Sequence, residues 1–244
     1  MVEGRVRLDQ ALVAQGLVSS RQRAQAMVRA GLVRVAGEVA DRPDQLVSPT
    51  VGIDLAGTKA FVSRGGEKLT AALDAFDFDP AGRVCLDVGA STGGFTDALL
   101  RRGASVVVAV DVGYGQLDFR LRRDPRVIVL ERVNIRHLDR LPVPADLAVI
   151  DVSFISLRLV LPRVSELLSP PGDVIALVKP QFEVGKGAVG KGGVVRDPEQ
   201  HRRVLNELRQ FAEENGYAIA GEIASPILGA KGNREFLLYL RRNG

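Results

Sequence analysis

From residue 82 onward the chain alternates aliphatic runs with helical stretches, and that rhythm leaves few folds open. The runs are "RVCLDVG", "SVVVAVDV", "RVIVLERV", "ADLAVIDV", "GDVIALVKP", "YAIAGEIAS" and "EFLLYLRR". The first five are apolar almost without a break, as in strands covered on both faces of a parallel sheet. Helical periodicity fills 94–102, 157–168 and 198–215. The expected architecture is α/β, a Rossmann-like, doubly wound sheet of about seven strands.

Residues 5–55 read as a separate small α+β unit. "RLDQALVAQ" puts Leu8, Ala11 and Leu12 on one helical face, and Gly16 stops the helix. Ser19 or Ser20 caps a second helix with Ala24, Met27 and Val28 inward and Gly31 past its end. "LVRVAGEVADRP" and "QLVSPTVGIDLAG" read as short strands with turns, and 58–68 as a linker. The expected division is 1–64 and 65–244.

Composition narrows the function classes. Lys and Arg number 33 against 29 acids, a net charge of +4, which suggests local basic surfaces for nucleic acid. One cysteine, Cys85, excludes an internal disulfide and suits a reducing cytoplasm. Two histidines and one cysteine argue against structural zinc. The N-terminus lacks the apolar core of a signal peptide, and no run reaches the ~20 apolar residues of a membrane helix.

"LDVGASTGGFTDALL", residues 86–100, passes from a strand through a glycine turn into a helix, a geometry that receives nucleotide-like cofactors. Gly89, Ser91 and Gly94 fall where a dinucleotide fold wants three glycines, so the middle one is missing. That glycine lets a pyrophosphate approach the backbone. S-adenosylmethionine has no pyrophosphate, and Asp87 at the strand end suits its ammonium. The turn Gly89, Ser91, Thr92, Gly93, Gly94 and Phe95 would cradle it, with the helix amides toward its carboxylate. Asp111, ending the second strand, suits the ribose hydroxyls of either cofactor, and Asn134 could flank the adenine.

"LDVGASTGGFTDALL", "VDVGYGQL", "IDVSFISL", "VKPQFE", "GVVRDP" and "GNREFLLYL", in this order, resemble the TlyA family, a branch of the FtsJ-like ribose methyltransferases. The resemblance spans essentially the whole chain, and the N-terminal unit is similar to S4-like RNA-binding domains. It implies methyl transfer from S-adenosylmethionine to a cytidine ribose 2′-hydroxyl in ribosomal RNA, with the large subunit favoured. The family also carries the label haemolysin. The FtsJ-like Lys-Asp-Lys-Glu tetrad falls on Lys68 in "GGEKL", Asp151 in "VIDVSF", Lys179 in "LVKPQF" and Glu235 in "NREFLL".

Methyl transfer is an in-line displacement, so the enzyme chiefly aligns the partners and relieves the hydroxyl of its proton. Lys179 is the candidate group, either as a base or as a charged donor to the developing oxyanion. Two features invite other readings. "GKGAVGKG" imitates a phosphate loop, but Gly192 stands where the magnesium-binding hydroxyl belongs. Residues 183–197 instead read as a basic substrate loop carrying Lys186, Lys191 and Arg196, or as a plain surface loop. Phe154 and Phe182 either stack on a base or pack, Cys85 reads as core, and His137 and His201 as surface or boundary residues.

In the N-terminal unit, Arg5, Arg7, Arg21, Arg23, Arg29 and Arg34 are the candidate RNA contacts. Aromatics are few, so phosphates and shape are the expected targets. The partner is ribosomal RNA or a ribosomal subunit, not a membrane. The alternatives are an RNA-binding assembly factor without catalysis and a membrane-lytic protein.

Overall fold

The computed structural model describes residues 4–18, 20–55, 61–185, 189–190 and 192–242. The chain divides into two compact units, Met1–Lys59 and Ala60–Gly244.

The first unit begins with β1 (Val6–Arg7), α1 (Leu8–Ala14) and α2 (Arg21–Arg29). Ser20 caps α2 by accepting from Arg23 N at 3.2 Å, whereas Ser19 lies outside the described residues. Four short strands follow: β2 (Val33–Val35), β3 (Glu38–Val39), β4 (Leu46–Val47) and β5 (Ile53–Leu55). They form two antiparallel groups, β1 with β4 and β3-β2-β5. Each expected strand proves to be two. One is split by the turn at Ala36 and Gly37, both left-handed, which reverses the chain between β2 and β3. The other is interrupted around Pro49, whose ring removes a ladder donor. Leu8, Leu12, Ala24, Val28 and Val33 are fully buried between helices and strands.

The second unit starts earlier than its first strand. Residues 61–64, assigned above to the first unit, pack here: Phe61 and Val62 join its core, and Val62 N donates to Asp97 at 2.9 Å. Of the expected linker 58–68, residues 58–60 lie outside the described residues and 65–68 open a helix, α3 (Gly65–Ala75). Gly65 and Gly66 are poor helix formers, but a Cβ on Gly66 would lie 2.1 Å from the Phe61 ring. Close packing overrides propensity there.

The chain then runs β6 (Val84–Val88), α4 (Gly94–Arg101), β7 (Val106–Asp111), α5 (Phe119–Arg123), β8 (Val127–Glu131), β9 (Ala145–Ile150), α6 (Leu161–Leu167), β10 (Leu168–Val178), α7 (Pro180–Glu183), α8 (Pro198–Glu214), β11 (Tyr217–Ala224) and β12 (Phe236–Arg242). Seven strands form one sheet in the order β11-β12-β10-β9-β6-β7-β8. The five from β10 to β8 are parallel, and β12 runs antiparallel to both neighbours.

Because successive strand residues face opposite ways, the aliphatic runs feed two cores. Leu86, Val108, Ala148 and Val174 meet α6 and α8 on one face. Cys85, Val107, Leu147 and Ile175 meet α3 and α4 on the other. Burial pushes the Cys85 thiol up to about 12, so it behaves as a small apolar residue.

The chain proceeds from β6 outward to β7 and β8, then returns to β9 beside β6. The β6–β9 junction is therefore the switch point where open α/β sheets bind ligands at their carboxyl ends. Leu147, fully buried in central β9, tests this core. Leu147→Ala is expected to lower unfolding stability of the large unit by about 2–5 kcal/mol in chemical denaturation; a loss well below that would show that the face is loosely packed.

Candidate functional site

Two adjoining cavities open at the switch point and share Gly89, Ser91 and Asp151. The larger, about 490 Å³, is walled by Val112, Val133, Ile135 and Ile155 with Asp111, Gln116 and Asn134 among its polar groups. The smaller, about 200 Å³, is lined by Ser63, Arg64, Gly65, Lys68, Thr92, Gly94 and Phe95. Together they form one cleft with an apolar chamber and a charged one.

The glycine turn is shaped by close contacts. Gly89 has φ +85°, and a Cβ there would lie 2.5 Å from the Asp151 carbonyl oxygen, so only glycine fits between the loops leaving β6 and β9. Asp151 N donates to Val88 O at 2.9 Å, which ties the loops together. A Cβ on Gly94 would lie 2.2 Å from Ser63 Oγ, so its absence lets the starts of α3 and α4 approach. Gly93 lines neither cavity; it packs against Leu117 and Leu121 and supports the turn from behind.

Ser91 occupies the missing-glycine position with a left-handed backbone, φ +49°. Its amide donates to Asp111 Oδ2 at 2.8 Å and its hydroxyl to Gln116 at 3.2 Å. Asp111 Oδ1 accepts from Gly113 N at 2.6 Å. The second carboxylate is thus fixed at the rim of the larger chamber, with Asn134 on the same wall.

Asp87 corrects the expectation drawn from sequence. Its side chain is fully buried and lines neither cavity, so it makes no direct contact with a ligand's ammonium in this arrangement. Thr96 Oγ1 donates to its Oδ2 at 2.6 Å. Burial, and then the nearby charges of Asp151 and Asp111, push this carboxyl up to about 7, while the Thr96 hydrogen bonds oppose the rise. The acid at a strand end is visible in sequence; the side of the turn to which it points is not.

The four tetrad positions come together as two ion pairs. Lys68 Nζ lies 2.5 Å from Glu235 Oε2, with side chains only 10% and 2% exposed. Gly229 makes room for that carboxylate, since a Cβ there would fall 1.8 Å from Glu235 Oε1. Lys179 Nζ lies 2.5 Å from Asp151 Oδ1 and donates to Ser153 Oγ at 2.9 Å. The Asp151 contact is a charge contact of poor angle, because Oδ1 takes no directed hydrogen bond. Lys68 and Asp151 both line the smaller chamber, so the pairs meet across it.

Glu183 is a residue that sequence reading missed. Its carboxylate accepts from Ser156 Oγ at 2.6 Å and Leu157 N at 2.8 Å, and burial raises its pKa. Phe182 packs on Phe154 with ring centroids 5.0 Å apart. With the Lys179–Ser153 bond, these contacts fasten the loop after β10 to the loop after β9. Phe154 itself is 90% exposed and left-handed, φ +63°, at the mouth of the larger chamber. The motif "VKPQFE" carried the signal, but its partners lie on another loop.

In the 183–197 segment, Arg196 is exposed, while Lys186 and Lys191 lie outside the described residues. His201 is not a surface residue: it is buried, its Nε2 is 2.9 Å from Val195 O, and its ring stands edge-on to Phe236. His137 is exposed. In the first unit Arg5, Arg21, Arg23, Arg29 and Arg34 are exposed and Arg7 is half-buried.

This cleft fits S-adenosylmethionine better than a dinucleotide. Ser91 stands where the glycine that admits a pyrophosphate would be, and Asp151 lines both chambers and gives them an acidic wall. Apolar walls suit an adenosine.

Comparison with known proteins agrees. Residues 61–242 match the family described as FtsJ-like methyltransferase, and residues 6–52 match the S4 domain. A Mycobacterium tuberculosis relative named 16S/23S rRNA (cytidine-2′-O)-methyltransferase TlyA is 51% identical over 97% of this chain and 90% of its own. A Bacillus subtilis relative named "Putative rRNA methyltransferase YqxC" is 44% identical over all of this chain and 88% of its own. A solved structure described as a hemolysin from Streptococcus thermophilus is 42% identical, with TM-score 0.74 over 99% of this chain and 90% of that one.

The raised Asp87 pKa yields a pH test. Between its unfolded value near 4 and its folded value of about 7, the folded protein holds a proton that the unfolded chain has lost, so stability from this group falls as pH rises through that window. Asp87→Asn removes the effect. Its melting temperature relative to the parent is expected to improve steadily from about pH 4 to about pH 7 and to level off above; a gap independent of pH would contradict the assignment.

Proposed function

Since this chain belongs to the FtsJ-like methyltransferase family and carries an S4 domain, we propose that it methylates the 2′-hydroxyl of a cytidine ribose in ribosomal RNA, using S-adenosylmethionine. The observation that carries this reading is the two lysine–carboxylate pairs converging on the charged chamber beside an adenosine-sized apolar one. The named activity of the M. tuberculosis relative supports the substrate, and that name covers both subunit RNAs, the favoured large-subunit RNA among them.

When bound, S-adenosylmethionine supplies a methyl group already activated by its sulfonium. The protein's task is alignment and charge control. Gly89 and the turn through Phe95 would hold the cofactor, with Asp111 available to its ribose hydroxyls and Asn134 to its base. Asp87 braces the turn from beneath by accepting from Thr96 Oγ1. Lys179, held between Asp151 and Ser153, presents an ammonium to the substrate hydroxyl and stabilises its developing negative charge. Asp151, its Oδ1 buried against Lys179 Nζ, holds that ammonium in place, and the proton released by the hydroxyl leaves to water through the open cleft.

Lys68 and Glu235 brace the opposite wall. Removing either partner of so buried a pair leaves an uncompensated charge, costing roughly 3–5 kcal/mol. Phe154, exposed at the mouth, offers a ring for the target base, and the arginines of the first unit hold RNA through its phosphates.

Lys179→Ala is expected to abolish methyl transfer while calorimetric binding of S-adenosylmethionine persists. Ribose-methylation mapping of both ribosomal RNAs, with parent and variant protein, reads the activity and the substrate subunit together. Full turnover by the variant would overturn the role given to Lys179, and an unmodified cytidine with the parent would overturn the function.

A further inference from the structure

The buried carboxylate of Asp9, in the first turn of α1, is enclosed by four side-chain N–H groups. Arg7 Nε donates to Oδ1 at 3.1 Å and Arg7 Nη2 to Oδ2 at 3.2 Å. Arg21 Nε donates to Oδ2 at 2.9 Å and Gln25 Nε2 to Oδ2 at 2.8 Å. Asp9 is fully buried, yet the two arginine side chains keep 38% and 51% exposure. Although burial opposes ionisation, the arginine and glutamine bonds outweigh it and hold this carboxyl well below the usual range.

The exposed surface pair Arg42–Asp44, at 3.5 Å, shows the ordinary alternative: a loose contact between two solvated groups. Asp9 differs in kind. It engages Arg21 through Nε, which leaves both Nη groups of that guanidinium without a bond to the anchor. Two guanidiniums side by side repel each other; a buried anion between them removes that penalty and fixes both rotamers. Arg5, Arg23 and Arg29, by contrast, are exposed and have no ion pair among the described residues. They supply attraction without defined geometry.

We propose that Asp9 is a positioning residue that pre-orients Arg7 and Arg21 as a paired guanidinium clamp for one RNA phosphate. The inference rests on the reading that this unit binds ribosomal RNA. The rotamer freedom lost on gripping a phosphate is already lost in the free protein, so the clamp gains affinity by preorganisation. Asp9 also fixes the spacing between the two cations, which a flexible pair would not keep.

Net charge and positioning make opposite forecasts, which gives the test its force. Removing a carboxylate makes the protein more basic, and charge alone then predicts tighter RNA binding. The clamp predicts weaker binding. Full-length protein is titrated against deproteinised ribosomal RNA at several salt concentrations, with the melting of each variant recorded. Asp9→Asn is expected to raise Kd about tenfold, equivalent to about 1.4 kcal/mol, and to have no further effect in an Arg7→Ala, Arg21→Ala background. Should Asp9→Asn fail to fold, Arg21→Lys keeps the charge but lacks the fork, and is expected to weaken binding comparably. Unchanged or tighter binding by Asp9→Asn, or by Arg21→Lys in its stead, overturns the positioning role and leaves the RNA-binding reading intact. No binding by the parent, or parent-like binding by the double arginine variant, overturns both.

Discussion

The approach of Gly89 to the Asp151 carbonyl is the constraint on which the site depends. The loops leaving β6 and β9 touch there without an intervening side chain, and the backbone bond from Asp151 N to Val88 O locks them. One loop carries the cofactor turn and the other carries the carboxylate that faces Lys179. Their contact sets the separation between the glycine turn and the Asp151–Lys179 pair, at the point where the strand order reverses.

Around this junction the charges are arranged in layers. Asp87 lies beneath the turn, Asp111 and Asp151 at its rim, and Lys68 and Lys179 each face one carboxylate. The ammonium groups are thereby fixed in place and kept apart. A cleft of this kind attracts a cationic cofactor while presenting a positive, hydrogen-bonding group to an ionising hydroxyl. In the first unit Asp9 stands to Arg7 and Arg21 much as Asp151 stands to Lys179: a carboxylate fixes the cation beside it.

Much of this was legible in the residues. Aliphatic runs that repeat between helical segments specify the parallel sheet, because strands covered on both faces have no polar side to show. The tetrad could be placed through the family resemblance, and the structure gathers Lys68, Asp151, Lys179 and Glu235 about one chamber. What was not legible depends on contacts between distant segments. Gly66 reads as linker because the Phe61 packing that requires a glycine there lies outside any local pattern. Glu183 shows no periodicity that marks it, since it acts by accepting from another loop, whereas His201 shares the buried stripe of α8 with Val204, Leu205 and Leu208. Asp87 was visible as an acid, but its burial was not.

The most direct measurement is calorimetric titration of Gly89→Ala with S-adenosylmethionine, alongside a methyl-transfer assay on ribosomal RNA. A methyl group at this left-handed position meets the Asp151 carbonyl, so the account predicts a folded protein that loses both cofactor binding and transfer. Parent-like affinity and turnover in that variant would contradict it.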